Sequence, residues 1–229
     1  MIQRAIFICM VMILLGTFVH GQQSLVLSIK PMMGKEELIL GKAYIDARGD
    51  TMNIETLRFY LSNFMFYSKG KSVWQEKNSY HLVEGDDSAK RSIALRIPPK
   101  IKYDAMGFTW GVDSTANVSG AMGGDLDPTK GMYWTWQNGY INTKIEGTCS
   151  SSTVAKGSFQ MHLGGYAYPF RADQHLLFSL GEGNTLQIKI QLEQFFEQID
   201  WVKQNRIMSP SNDAVQLSEA LSKTIQVKQ

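Results

Sequence analysis

The feature that most limits what this chain can fold into is a hydrophobic repeat of two, recurring in short runs along almost its whole length. Between Thr56 and Ser68, Leu57, Phe59 and Leu61 alternate and lead on to Phe64 and Phe66. Ser24 to Lys30 sets Leu25, Leu27 and Ile29 on one side. Similar alternations run through Ser92 to Ile97, Gly107 to Val112, Tyr140 to Glu146, Phe159 to Leu163 and Leu186 to Gln191. A repeat of two in aromatic and β-branched residues, bounded by Gly, Asp, Asn and Pro, is the mark of half-buried strands. Many such runs at short intervals, with no amphipathic helix between them, predict an all-β fold, an antiparallel sandwich or barrel; the expectation taken forward is a Greek-key-like antiparallel β-sandwich with long loops. Only the C-terminus reads as helical. There Ser209-Pro210-Ser211-Asn212 offers caps, and Ala214, Leu217 and Leu221 follow at helical spacing.

The N-terminus bears on the compartment. Arg4 precedes a nearly unbroken apolar run from Ala5 to Leu15, and Val19-His20-Gly21 closes the segment before two glutamines. A charged start, a short apolar core and a small residue at the end describe a secretory signal peptide. The run is shorter than the roughly 20 residues of a spanning helix. Cys9 lies inside the apolar core, which argues against a lipoprotein cleavage site. The expectation is a signal peptide over residues 1–21 and one domain over residues 22–229, periplasmic or secreted, with no membrane span in the mature chain. The formal charge of +2 falls to +1 once Arg4 is lost, and such neutrality argues against a nucleic-acid partner. Cys149 is then the sole cysteine, so no internal disulfide forms. It is either a buried structural thiol or an exposed metal or redox group.

No nucleophile elbow, phosphate loop, dinucleotide fingerprint or paired-histidine zinc motif is present. The mature chain has three histidines, His81, His162 and His175, none in a catalytic context, so the chain is expected not to be an enzyme. The longest irregular stretch, Asp113 to Lys130, is rich in Gly, Ser, Asp and Asn, and long loops on a β scaffold often carry function. Asp113, Asp125 and Asp127 are spaced like a loop for calcium but without the EF-hand order, and turn formation explains them equally well. Asn117-Val118-Ser119 is a formal glycosylation acceptor.

The distinctive segment runs from Phe108 to Gly147. It holds Gly111-Val112-Asp113-Ser114, then Met132-Tyr133-Trp134-Thr135-Trp136, then Gly139-Tyr140 and Lys144-Ile145-Glu146-Gly147. Arg58-Phe59-Tyr60-Leu61-Ser62-Asn63 and Tyr80-His81-Leu82-Val83 lie upstream, and His162-Leu163-Gly164-Gly165 lies downstream. In this order, over most of the mature chain, these pieces resemble the MbnP-like copper-binding family of bacterial envelope proteins. The resemblance implies a copper ion held by histidine and an oxidised tryptophan, and a membrane transporter or di-haem peroxidase as partner. Carried over onto this chain, it makes His162, Trp134, Trp136, His81 and His175 the candidate metal residues, with Met132 and Met161 as thioether donors nearby in sequence. An indole N–H donates and has no free lone pair, whereas ring opening to kynurenine exposes an aniline-type nitrogen able to bind metal. Imidazole and thioether both suit copper. The chain departs from better-known members in lacking their extra cysteines and the close histidine pair of some relatives.

Read from the residues alone, Trp134 and Trp136 share one face of an extended segment and serve equally as core aromatics. His162 serves equally as a satisfied polar residue on its strand. The rival function is a non-catalytic extracellular β-sandwich that binds a protein or glycan through exposed aromatics of the Asp113–Trp136 region.

Overall fold

The structure is a computed structural model, and it describes residues 23–136, 139–181, 183 and 185–228. The segment read as a signal peptide lies outside the described residues. Among these residues fifteen strands follow one another: β1 Gln23–Met33, β2 Glu36–Glu37, β3 Ala43–Ile45, β4 Thr51–Ser68, β5 Lys71–Gln75, β6 Tyr80–Glu84, β7 Ser92–Ile97 and β8 Ala105–Trp110; then β9 Tyr133–Trp134, β10 Gly139–Cys149, β11 Ser158–Gly164, β12 Gln174–Ser179, β13 Thr185–Gln191, β14 Arg206–Ile207 and β15 Ile225–Lys228. Among the described residues three α-helices join them: α1 Ser114–Ser119, α2 Leu192–Phe196 and α3 Asn212–Ser222. None of the described helices is long and apolar enough to cross a membrane.

The strands form two sheets, as an all-β sandwich requires. The larger runs β12-β8-β4-β10-β11-β14, with β3, β5 and β6 also pairing β4 and β9 pairing β10. The smaller runs β15-β13-β1-β2, with β7 on β1. Period-two patterning puts Leu25, Leu27 and Ile29 of β1, and Leu186, Ile188 and Ile190 of β13, into the space between the sheets. The larger sheet answers with Leu57, Phe59, Leu61, Phe108, Trp110, Ile145, Phe159, Met161 and Leu163. Each such side chain, once fully buried, contributes about 1.5–3 kcal/mol. Phe59 stacks on Trp110 with ring centroids 4.2 Å apart, and the Trp110 indole donates to Thr143 Oγ1 at 2.7 Å.

Pairing departs from a purely antiparallel scheme at two places. β1 lies parallel to β13, and β11 parallel to β14. A parallel pair needs a long crossover, and every strand of the larger sheet except β14 stands in the chain between β1 and β13. The alternation in β4 also breaks twice. Its core residues are even-numbered at Met52 and Ile54, odd-numbered from Leu57 to Leu61 and even-numbered again from Phe64. The first shift falls where the register against β10 slips between Ile54 and Thr56, the second at a bulge where Asn63 takes φ 53°.

Helix α3 matches the sequence expectation: Ser211 caps it by accepting from the Ala214 amide, and Ala214, Leu217 and Leu221 are buried. The C-terminus is nonetheless not alone in being helical. Asp113 caps α1 inside the stretch read as irregular, and α2 buries Leu192, Phe195 and Phe196.

Candidate metal centre on the outer face of the large sheet

Side chains that alternate away from the core come to the outer face of the larger sheet. Register aligns four of them in a row across four strands: Glu84 on β6, Arg58 on β4, Lys144 on β10 and His162 on β11. Arg58 pairs with Glu84 at 2.9 Å. Glu146, one step along β10 on the same face, brings its Oε1 within 2.7 Å of His162 Nε2. A carboxylate can only accept, so Nε2 carries the proton and Nδ1 keeps its lone pair. His162 is 6% exposed, and burial pulls its pKa below the ordinary 6.5 despite the neighbouring Glu146. The imidazole is therefore neutral at physiological pH, the form that can bind a metal.

Beyond this row the same face is covered by the segment 111–141. Tyr60, Leu82, Val112, Ala116, Leu126, Met132, Trp134, Tyr140 and Ile141 form a second apolar cluster there, separate from the inner core. The covering segment is tied down by polar bonds more than by alternation. The Asn142 side chain accepts from the Val112 amide, and the Asn117 side chain donates to the Val112 and Asp113 carbonyls while accepting from the Tyr140 amide. Tyr60 donates to the Asp125 carbonyl, the Asp125 carboxylate accepts from the Leu82 amide, and Arg58 donates to the Lys130 carbonyl at 2.6 Å. Gly111 opens the segment at φ 115°, where a Cβ would come within 2.6 Å of Asn142. No larger residue fits there without moving that anchor.

Trp134 lies at the end of this cover. Its indole packs over Gly164, whose missing side chain leaves the space; a Cβ there would stand 2.8 Å from the ring. Gly164 is two residues from His162 on the same face of β11. Glu146 pairs across from Gln160 and Trp134 covers Gly164, so along the outer face of β11 His162 occupies the position between them. Trp134 is 6% exposed, and its buried Nε1–H has no hydrogen-bond partner among the described residues. The chain turns after Trp134, so Trp136 does not share the buried face; it is 66% exposed, its ring centroid 6.1 Å from that of Trp134. A cavity of about 270 Å³ opens beside Trp134, walled by Tyr166, Phe170 and Pro210, with Tyr168 97% exposed at its rim.

The other two histidines stand apart from this centre. His81 points to the opposite face of the sheet, beside Phe64 at 5.7 Å, with Nε2 2.8 Å from Glu76. His175, on β12, sets Nδ1 3.0 Å from Thr109 Oγ1 and Nε2 3.5 Å from the buried Asp173, which Arg171 also holds. Each histidine thus has a carboxylate of its own, and among the described residues no three His, Cys, Asp or Glu side chains gather. Met161 lies in the inner core and Met132 in the outer cluster, both fully buried. Cys149 resolves to the structural alternative: it is packed in the inner core, and burial pushes its thiol up.

The loop carboxylates likewise work singly. Asp113 accepts from Asn63, Tyr80 and the Ala116 amide; Asp125 from Lys130 and the Leu82 amide; Asp127 from Thr129. Asn117 is buried with its amide fully engaged, so the glycosylation tripeptide has a structural duty. Glu146 is the site residue that sequence reading passed over, although its alternation with Ile145 already set it on the face of His162.

Comparisons with known proteins bear on this arrangement. The MbnP family model matches residues 22–209. No curated protein matches the chain. Among solved structures, MbnP from Methylosinus trichosporium aligns with a TM-score of 0.65 and 14% identity, over 90% of this chain and 98% of that one. At that identity the likeness speaks to the fold.

Proposed function

This chain belongs to the MbnP family, and on that premise we propose that it is a non-catalytic copper-binding protein of the cell envelope, its metal held at His162 beside Trp134. The observation that carries the reading is the buried Trp134 indole, its N–H unpartnered among the described residues, packed over Gly164 two residues along one face of β11 from a neutral, buried imidazole. A buried donor left unpaired costs about 1–3 kcal/mol, and an oxidised, ring-opened tryptophan at this position would exchange that donor for a metal-binding amine. Imidazole nitrogen suits copper in either common oxidation state, and what copper would supply here is affinity for such nitrogen donors. Glu146 holds the imidazole, Gly164 makes room for the indole, and the covering segment 111–141 keeps water from both. His81 and His175 fall outside this donor set, each committed to another carboxylate.

The test is metal analysis and peptide mass on protein purified from its native secretory route. The expected result is one copper per chain and added mass on the peptide that holds Trp134. Copper-free, unmodified protein that stays so after copper loading would overturn the proposal.

A second reading is favoured by two large exposed aromatics, Tyr168 at the rim of the cavity beside Trp134 and Trp136, whose ring centroid lies 6.1 Å from that of Trp134. It is docking of a protein or glycan partner through these rings. Loss of partner capture in Trp136→Ala with copper content unchanged would separate it from the first.

A further inference from the structure

The outer face holds one contact whose use is not assigned by the family or by its copper chemistry. Glu146 reaches diagonally across the β10–β11 pair to His162, with the carboxylate 2.7 Å from Nε2. Diagonal neighbours on one face of an antiparallel pair lie within reach of long side chains, so the register itself delivers this bond. Lys144, directly across from His162, lies 4.0 Å from the same carboxylate oxygen. On the other side of the imidazole, Trp134 covers Gly164. The ring is thus gripped at one nitrogen and hemmed in over the next position of the strand.

We infer that Glu146 is the positioning residue of the metal centre: it fixes the proton of His162 on Nε2 and leaves Nδ1 as the nitrogen that takes copper. The inference rests on the copper reading of His162 given above. Its physical basis is general. A metal-binding imidazole whose other N–H is held by a carboxylate has one tautomer and one ring orientation, and loss of that partner weakens metal binding by roughly 10–100-fold. Glu146 need not touch the ion to do this.

The experiment uses the mature chain and has two parts. Long-range ¹H–¹⁵N spectra of metal-free protein read the His162 tautomer, and the expected result is a protonated Nε2 and a bare Nδ1. A proton on Nδ1 overturns the inference whatever the copper result. Copper(II) titrations of wild type, Glu146→Gln and Glu146→Ala follow, with far-UV circular dichroism to show that each variant folds. The expected loss of affinity is roughly 10–100-fold in Glu146→Ala. It is smaller in Glu146→Gln, whose amide oxygen still accepts from Nε2–H. Wild-type affinity in Glu146→Ala, with copper bound by the parent chain, overturns the role of Glu146 alone. No copper on the parent chain, with Nε2 protonated, overturns the copper reading itself and is told apart by that signature.

Discussion

The two faces of the larger sheet are stabilised in opposite ways. The inner face is made by strands that alternate, and almost every residue on it is apolar and buried against the second sheet. The outer face is apolar only where one long connection, 111–141, folds back over it, and side-chain amides, carboxylates and tyrosine hydroxyls hold that connection down. The inner core gives a cooperative body with little chemistry. The outer cover gives a buried histidine, an unpartnered indole and a cavity, at the cost of many polar groups that must stay satisfied. The proposed metal site belongs to the face whose burial depends on a loop.

The contrast can be broken most forcefully from the inner side. Phe59→Ala removes a fully buried ring stacked on Trp110, and the expected cost is about 3–5 kcal/mol. Denaturant unfolding followed by far-UV circular dichroism and by tryptophan fluorescence should shift in step, because the cover cannot outlast the sheet beneath it. On the outer side, Gly164→Ala drives a Cβ to 2.8 Å from the Trp134 ring and 2.7 Å from the Tyr140 carbonyl. Overpacking of this kind costs about 1–3 kcal/mol. The near-UV spectrum and the copper affinity should both fall while the far-UV spectrum stays as it was.

Acid should separate the faces without a mutation. Burial alone would raise Asp113 and Asp125, but at Asp113 the bonds from Asn63, the Ala116 amide and Tyr80, and at Asp125 those from Lys130 and the Leu82 amide, outweigh it and hold both below 3.8. Their contribution is complete above the ordinary carboxylate range and is lost as pH falls through the lowered folded values. His162 acts in the same direction from a higher pH. Its folded pKa lies below 6.5, so the unfolded chain takes up that proton first and stability declines as pH drops below 6.5. Tertiary signals from the cover should therefore fade on acidification before the far-UV signal of the inner sheets; simultaneous loss would contradict the division. The smallest effect is expected from Trp136→Ala, which removes an exposed ring and should change thermal stability by no more than about 0.5 kcal/mol.

Legibility in the sequence follows the same division. Ser92–Ile97 is a strand with the bounds its alternation implies, and the strands around Leu25, Phe59, Ile145, Phe159 and Ile188 lie where the repeat of two puts them. That repeat is a direct trace of one face packing on a core. Lys71–Gln75 carries little of it, because its residues are mostly exposed and it is held by pairing to β4. The parallel partnership of β1 and β13 leaves no local trace, since it joins residues more than a hundred positions apart. The bulge at Asn63 does leave one: the buried set jumps from Leu61 to Phe64. In the site, the nearness of His162 to Trp134 depends on a loop returning over Gly164, which no periodicity encodes. The separation of His81 from His162 follows from strand parity once Leu82 and Val83 are known to face opposite sides.

Whether copper binds at His162 is tested most directly by anomalous diffraction at the copper edge from crystals of the copper-loaded chain. The predicted result is one strong peak within bonding distance of His162, on the Trp134 side of the ring, with Glu146 still on Nε2. A peak at His81 or at His175, or none on the outer face, would contradict it.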